Sequence, residues 1–417
     1  MKATPPANSD LPDRTSRGRS YAVLRHRDYR ILWSAEFVST IGTQMQRVAI
    51  AWQVYELTGD ALSLGILGLV RFGPVVLFGL FGGVLADQRD RRKLLILSQV
   101  LLFVCSFGLA AAAMAEVASL AVIYVLTFLA AAVSSFAGPS RQALIPALVP
   151  RTELAGAMSL NVLAMQIATV SGPALGGWII AWRGVDAVYL LDAISFLVVI
   201  GGVLMLRTRP PAAGATVGTL AAALQGFRFL RESPMLLGVM AVDFVATFFG
   251  ASMVLMPVFA DEVLDVGASG VGLLYAAPAA GAVIGSMLMS LAPLPRRPGA
   301  GVLAAIAVYG AAIAGFGLST AFFLSLTLLA VSGAADAMSM ALRHTIRNLL
   351  TPDELRGRVA ATHSMFSMGG PQLGEFEAGL VAAAVGAGPS VAIGGIGTVL
   401  SCWLIAAVVP AIRRYRL

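Results

Sequence analysis

GGVLADQRDRRK, residues 82–93, lies between two apolar segments that are each long enough to cross a bilayer. It reads as a tight, charged hairpin between two membrane helices. Gly82 and Gly83 remove side chains where two helices approach closely. Asp87 then meets a basic cluster formed by Arg89, Arg91, Arg92 and Lys93, which belongs at a membrane surface. On these twelve residues alone a second reading stands beside the first, in which the loop is simply a basic segment that orients the chain.

Working outward, the composition places the whole chain in a membrane. Of its 417 residues 58% are hydrophobic and 12% charged, and the mean hydropathy is +0.83, far more apolar than an ordinary soluble domain. A helix needs about 20 apolar residues to span the hydrocarbon. Segments that satisfy this fall near 29–55, 61–86, 94–115, 118–140, 155–182, 186–206, 236–260, 269–292, 300–318, 321–342, 358–385 and 389–411. The expectation is an all-α membrane protein of twelve transmembrane helices. With both termini in the cytoplasm, every Lys and Arg except Arg47, Arg71 and Arg183 falls on the cytoplasmic side, which fixes the orientation by the positive-inside rule. The net charge of +7 follows from this bias and gives no reason to expect a nucleic-acid partner. Cys105 and Cys402 both sit inside apolar segments, as small packing residues rather than a disulfide pair.

The expected layout is a disordered polar arm over 1–27, a six-helix bundle over 28–206, a polar linker over 207–235, a second six-helix bundle over 236–412 and a short tail over 413–417. Internal repetition supports the division. Arg141, Pro150 and ELAGAM from Glu153 return as Arg343, Pro352 and ELRGRV from Glu354, about 200 residues later. GPALGG from Gly172 returns as GPQLGE from Gly370, and LSLGIL from Leu62 corresponds loosely to SGVGLL from Ser269. A parallel repeat of this kind relates the halves by a pseudo-two-fold axis along the membrane normal. The second-half counterpart of the Asp87 loop, LPRRP over 294–298, has no acid.

Charges inside apolar helices are costly and mark candidate sites. Glu375 and Glu377 lie in the eleventh segment, and each costs roughly 2.5–3.5 kcal/mol at mid-membrane unless it faces a cavity or partner. Two residues apart, they point in directions about 200° from each other, so one lines a cavity while the other meets a neighbouring helix. In the GPALGG register Glu375 takes the place of Gly177. Arg47, Arg71, Asp243, Asp336, Glu36 and Asp192 are the other intramembrane charges; for the arginines snorkelling, and for the acids a satisfied interhelical hydrogen bond, are the bland accounts. In the fifth segment Pro173 removes a backbone donor, and Gly172, Gly176 and Gly177 permit close packing. No phosphate loop, HExxH or GxSxG occurs, and His26, His344 and His363 are scattered. The sequence therefore points away from an enzyme and calls for no cofactor or metal. Energy must come from an ion gradient, with a carboxylate proton route the natural candidate.

From Arg27 to Arg414 the chain resembles the major facilitator superfamily (MFS). Gly83, Leu85, Asp87, Arg91 and Arg92 match its loop motif between helices 2 and 3, while Gln88 and Asp90 depart from it. GPALGG resembles the family's antiporter motif, with Ala168 where a glycine is usual. WQVYELTGDALSLG, GPSRQALIPALVP, GFRFLRESP, GVGLLYAAPAAGAVIG and ELRGRV look closest to the branch that contains the enterobactin (siderophore) exporter and macrolide-efflux-like proteins. The resemblance implies a monomeric, proton-coupled antiporter in the bacterial inner membrane that exports a siderophore or similar small molecule by alternating access. Multidrug or macrolide efflux is the alternative, and a receptor or scaffold without transport is the reading from another class. It also implies a cytoplasmic gate in which Asp87 docks near Gly357.

Overall fold

The computed structural model describes residues 20–88, 91–207, 233–291, 293, 295–352 and 355–415. The arm and the polar linker expected from the sequence lie outside these residues. So does the proposed Asp87 contact near Gly357: Gly83 and Asp87 belong to the second helix and Arg91 opens the third, but their side chains are outside the described set. Among the described residues every regular element is helical. After a 3-10 turn over Ser20–Arg25 come α1 (Arg27–Thr58), α2 (Ala61–Gln88), α3 (Arg91–Met114), α4 (Leu120–Leu148), α5 (Leu154–Arg183) and α6 (Val185–Leu204). Then follow α7 (Pro234–Phe249), α8 (Gly267–Leu291), α9 (Pro298–Leu318), α10 (Phe322–Leu350), α11 (Arg356–Val385), α12 (Ala387–Val408) and the short α13 (Pro410–Arg414). Irregular turns over 253–263 join α7 to α8, ending in a π-helical turn, Phe259–Val263.

Local chemistry sets the joints. Gly59, in the left-handed region at φ 59°, closes α1, and Asp60 accepts hydrogen bonds from the backbone N–H groups of Leu62 and Ser63 to open α2. Gly184 and Gly386, at φ 89° and 91°, each form the entire connection between two helices, and each donates its N–H back to the carbonyl four residues earlier. The joints are equivalent, and so are the elements. α4 and α10 have 29 residues each, and α5 and α11 have 30 each.

This register corrects one sequence expectation. Matching α5 to α11 end to end pairs Gly177 with Gly379 and Pro173 with Glu375, so Glu375 does not stand where Gly177 stands. The GPALGG and GPQLGE strings are about one helical turn out of step with the helices that carry them. The loose match of LSLGIL with SGVGLL is the sound one, since it pairs Gly65 with Gly272, and both make equivalent contacts. At the α5–α8 crossing a methyl group placed on Gly272 would lie 2.6 Å from the Pro173 carbonyl oxygen and 2.9 Å from the Gly177 Cα. At the α2–α11 crossing one placed on Gly379 would lie 2.6 Å from the Gly65 Cα. Bare backbone meets bare backbone at both places.

Helices α1 to α6 pack mainly on one another, as do α7 to α12, and the α2–α11 and α5–α8 crossings are the extensive contacts between the sets. The buried apolar clusters follow the same division with one asymmetry. At the end that carries the chain termini there are separate cores. One is built by Tyr29, Leu32, Leu144, Leu160 and Val203, the other by Val239, Val302, Leu342 and Ile346. At the opposite end a single core draws on both sets and includes Val54, Leu64, Val254, Phe259, Val271, Phe316 and Ala382.

Nine helices among the described residues are long and apolar enough to cross a membrane. The chain is a multi-pass membrane protein. α1 falls outside that set because it carries Glu36, Gln44, Gln46 and Arg47, whereas α2 and α11 are only partly described, and the described stretch of α2, 61–74, is itself apolar. On the outside, Trp178 and Trp182 are exposed near the end of α5, with the Arg183 guanidinium 4.4 Å over the Trp182 ring, an arrangement suited to a membrane interface.

Candidate functional site

A cavity of about 510 Å3 occupies the middle of the molecule. α1 contributes Thr43, Gln44, Gln46 and Arg47; α2 contributes Arg71; α4 contributes Thr127 and Ser134; and α5 contributes Pro173. Tyr275 of α8 and Gln372 and Glu375 of α11 complete its polar wall. A second cavity of about 220 Å3 shares Thr43, Gln44, Arg47 and Ser134 with the first and continues toward the termini-bearing end, past Glu36 and Arg141. In the other direction lies the common apolar core.

Glu375 reaches the cavity wall because Gly68 leaves room for it. A methyl group on Gly68 would lie 2.9 Å from the Glu375 Cβ. Glu377, two positions on, is not part of the described lining, in keeping with opposite directions for the pair. Arg47 is deep in the molecule yet exposed to the cavity, and Arg71 is half-buried. Among the described residues neither forms an ion pair within 4.0 Å.

The remaining acids are engaged elsewhere. Asp192, fully buried, accepts from the Ser106 hydroxyl at 2.9 Å and from Thr43 at 3.5 Å, and Gln46 donates to Ser106 at 2.9 Å. This is a satisfied interhelical network, reached from the cavity through Gln46. Glu36 pairs with Arg141 at 3.1 Å across α1 and α4. Asp243 pairs with Arg343 at 2.9 Å across α7 and α10, and with His363 of α11 at 3.3 Å. The Arg343 guanidinium also donates to Asp336 at 3.3 Å. α1 and α7 each open their half, so the two pairs are repeat mates. The repeat of the arginines is visible in the sequence, whereas nothing in it pairs them with Glu36 and Asp243.

The antiporter-like motif is divided between two neighbours. Gly172 and Gly176 lie against Gln44 and Met45 of α1, Gly177 lies against α8, and Pro173 lines the cavity. One contact had no signal in the sequence. The Tyr55 hydroxyl at the end of α1 is 3.0 Å from both the Asp261 and the Glu262 carboxylates, in the π-helical turn before α8, and so ties the two helix sets together at the far end. Among the described residues no group of His, Cys, Asp and Glu is arranged to hold a metal.

A membrane chain whose described elements are all helical and surround a central cavity narrows the field, and the family comparison decides it. The transmembrane secretion effector family matches residues 18–414. The chain belongs to that branch of the major facilitator superfamily. Among curated relatives of this MFS chain, the enterobactin exporter EntS of Shigella boydii serotype 18 is 29% identical over 391 residues, 94% of each protein. The enterobactin exporter EntS of Escherichia coli O1:K1 is 29% identical over 393 residues, again 94% of each. Among solved structures, a bacterial homologue of the human lysosomal transporter Spinster, inward-facing and unoccupied, superposes with a TM-score of 0.72 at 16% identity, covering 96% of this chain and 99% of that one. A bacterial homologue of the iron transporter ferroportin in an inward-facing state gives 0.71 at 14% identity, covering 93% and 99%. These likenesses at low identity establish the MFS-type transporter fold.

Proposed function

We propose that this protein is a proton-coupled secondary exporter, an antiporter that carries a siderophore or similar polar secondary metabolite out of a bacterial cytoplasm by alternating access. In this reading twelve membrane crossings form two six-helix bundles, 28–206 and 236–412, related by a pseudo-two-fold axis. Both termini are cytoplasmic, the membrane is the inner one, and the unit is a monomer. The observation that carries the proposal is the central cavity, backed at the far end by a core that both halves build and continued toward the termini-bearing end by the second cavity. With cytoplasmic termini, that is a carrier facing the cytoplasm. Export then needs the α2–α11 and α5–α8 crossings to part at the far end while the cytoplasmic side closes. Asp87, Gly83, Arg91 and Arg92 form the proposed cytoplasmic gate, with Asp87 docking on the N-terminal amides of α11.

The cavity wall as a whole is more apolar than polar, and what speaks for a polar cargo over a drug-like one is that its aromatic and methionine side chains are few. Thr43, Gln44, Gln46, Ser106, Thr127, Ser134, Gln372 and two arginines outnumber Phe196, Tyr275 and Met253. The names of the curated relatives point the same way. Drug or macrolide efflux stays as the second reading, supported by the apolar stretch of wall around Leu67, Leu102 and Leu109.

At least one of Glu375, Asp243 and Glu377 is proposed to exchange protons, in that order of preference, because Glu375 is the one on the cavity wall. The test is gradient-driven flux of a purified siderophore into everted vesicles, for the wild type and for Glu375→Gln, Asp243→Asn, Glu377→Gln and Asp87→Asn at equal expression. Uphill flux should fail in the coupling variant while binding survives, and it should fall in Asp87→Asn. Wild-type accumulation in all four variants, or no gradient-driven flux in the wild type, would overturn this reading.

A further inference from the structure

The cavity wall carries more positive than negative charge, and its charges are incompletely answered. Arg47 and Arg71 face it from the first half and Glu375 from the second, with no ion pair within 4.0 Å joining them among the described residues. Arg71 Nη2 and Glu375 Oε2 are both buried and make no hydrogen bond, as are Gln372 Oε1 and Thr127 Oγ1 beside them. Removing a guanidinium from bulk water is expensive unless an anion or several acceptors replace the lost solvation. Here two guanidiniums share one carboxylate, and an unused donor remains on Arg71.

We propose that this region is an anion subsite, in which a delocalised oxyanion of the cargo, a carboxylate or an ionised phenol, binds between Arg47 and Arg71 with Glu375 as the resident counter-charge. The inference deepens the exporter reading and rests on it in taking the bound group to be part of the cargo. Guanidinium is the natural partner for such an anion because its parallel N–H groups match a pair of oxygens. The subsite also fixes the sign of a linkage. A proton on Glu375 and an anion between the arginines favour each other, so the hold of the subsite on an anionic cargo changes as Glu375 takes up or gives off its proton.

The test reads the cavity's charge directly, with no gradient. Ser134 is exposed on the cavity wall. In a Cys105→Ala, Cys402→Ala background, Ser134→Cys supplies a single reporter thiol. Purified protein is treated with 2-sulfonatoethyl methanethiosulfonate and with its 2-trimethylammonioethyl counterpart, and the ratio of rates is compared with that for a free thiol. The anionic reagent should be favoured by about tenfold over the free-thiol ratio, as expected for a cleft with one dominant sign of charge. Arg47→Gln and Arg71→Gln should each bring the ratio down, the corresponding lysine variants should keep it, and Glu375→Gln should raise it. Salicylate should slow labelling more than the uncharged salicylamide does. A parent ratio at or below the free-thiol value, or one unmoved by both glutamine variants in protein that remains monodisperse, overturns the subsite. Flux is not involved, so failure here is distinct from failure of the exporter reading.

Discussion

Arg141 and Arg343 each hold an acid from the first helix of their own half, but in different surroundings. The Arg343 and Asp243 side chains are 5% and 9% exposed, whereas the Arg141 side chain is 35% exposed beside the smaller cavity. Breaking a buried pair strands a charge at a cost of about 3–5 kcal/mol, while a solvated pair contributes about 0–1 kcal/mol. Arg343→Gln should therefore lower the unfolding temperature in detergent markedly, and Arg141→Gln should lower it less, because Glu36, whose side chain is 14% exposed, is left beside a cavity. Equal losses would mean that the two pairs are equally buried in solution. Replacing Asp243 by Asn as well should recover part of the loss, because the carboxylate that would otherwise face His363 without Arg343 is then gone. At this scale the sequence was partly legible. A charge in an apolar helix announces itself, and Glu375, Arg47 and Arg71 do line the cavity. Pairing partners do not announce themselves, since Glu36 and Arg141 are far apart in the chain and their proximity depends on how α1 and α4 pack.

Among the helices, the glycine crossings are the feature most relevant to switching. Gly65 on Gly379 and Gly272 on Gly177 bring backbones together at the far end, where in the proposed exporter the halves would part for cargo to leave. Gly272→Leu would place a side chain against the Pro173 carbonyl and the Gly177 backbone. The far end should then fail to close. In a cysteine-free background, a reporter thiol at Ser63, beside the α2 crossing, should become reactive toward impermeant reagents added from outside whole cells, and export should drop. A reporter that stays as protected as in the glycine parent would show that this crossing is not the seal. The sequence displayed these glycines but aligned one set of them wrongly. Short Gly-Pro strings recur by chance at helical spacing, whereas helix ends and their joints at Gly184 and Gly386 fix the true register.

For the molecule as a whole, composition and hydropathy were enough to reveal a helical multi-pass protein, because the bilayer admits few alternatives. Which end is sealed is beyond sequence reasoning, since one set of residues serves every state that the proposed carrier would visit. The answer lies in the distribution of apolar clusters, separate at one end and joined at the other. That distribution bears on how the chain can be made. Each set of six helices already has its own packed interior, and the two meet through the joined core and two glycine crossings. A continuous polypeptide between them is then dispensable for assembly. Two genes, one ending near Arg207 and one beginning just before Ser233, should yield fragments that co-purify when expressed together. Fragments that never associate would mean that a half needs its partner while it is still being inserted.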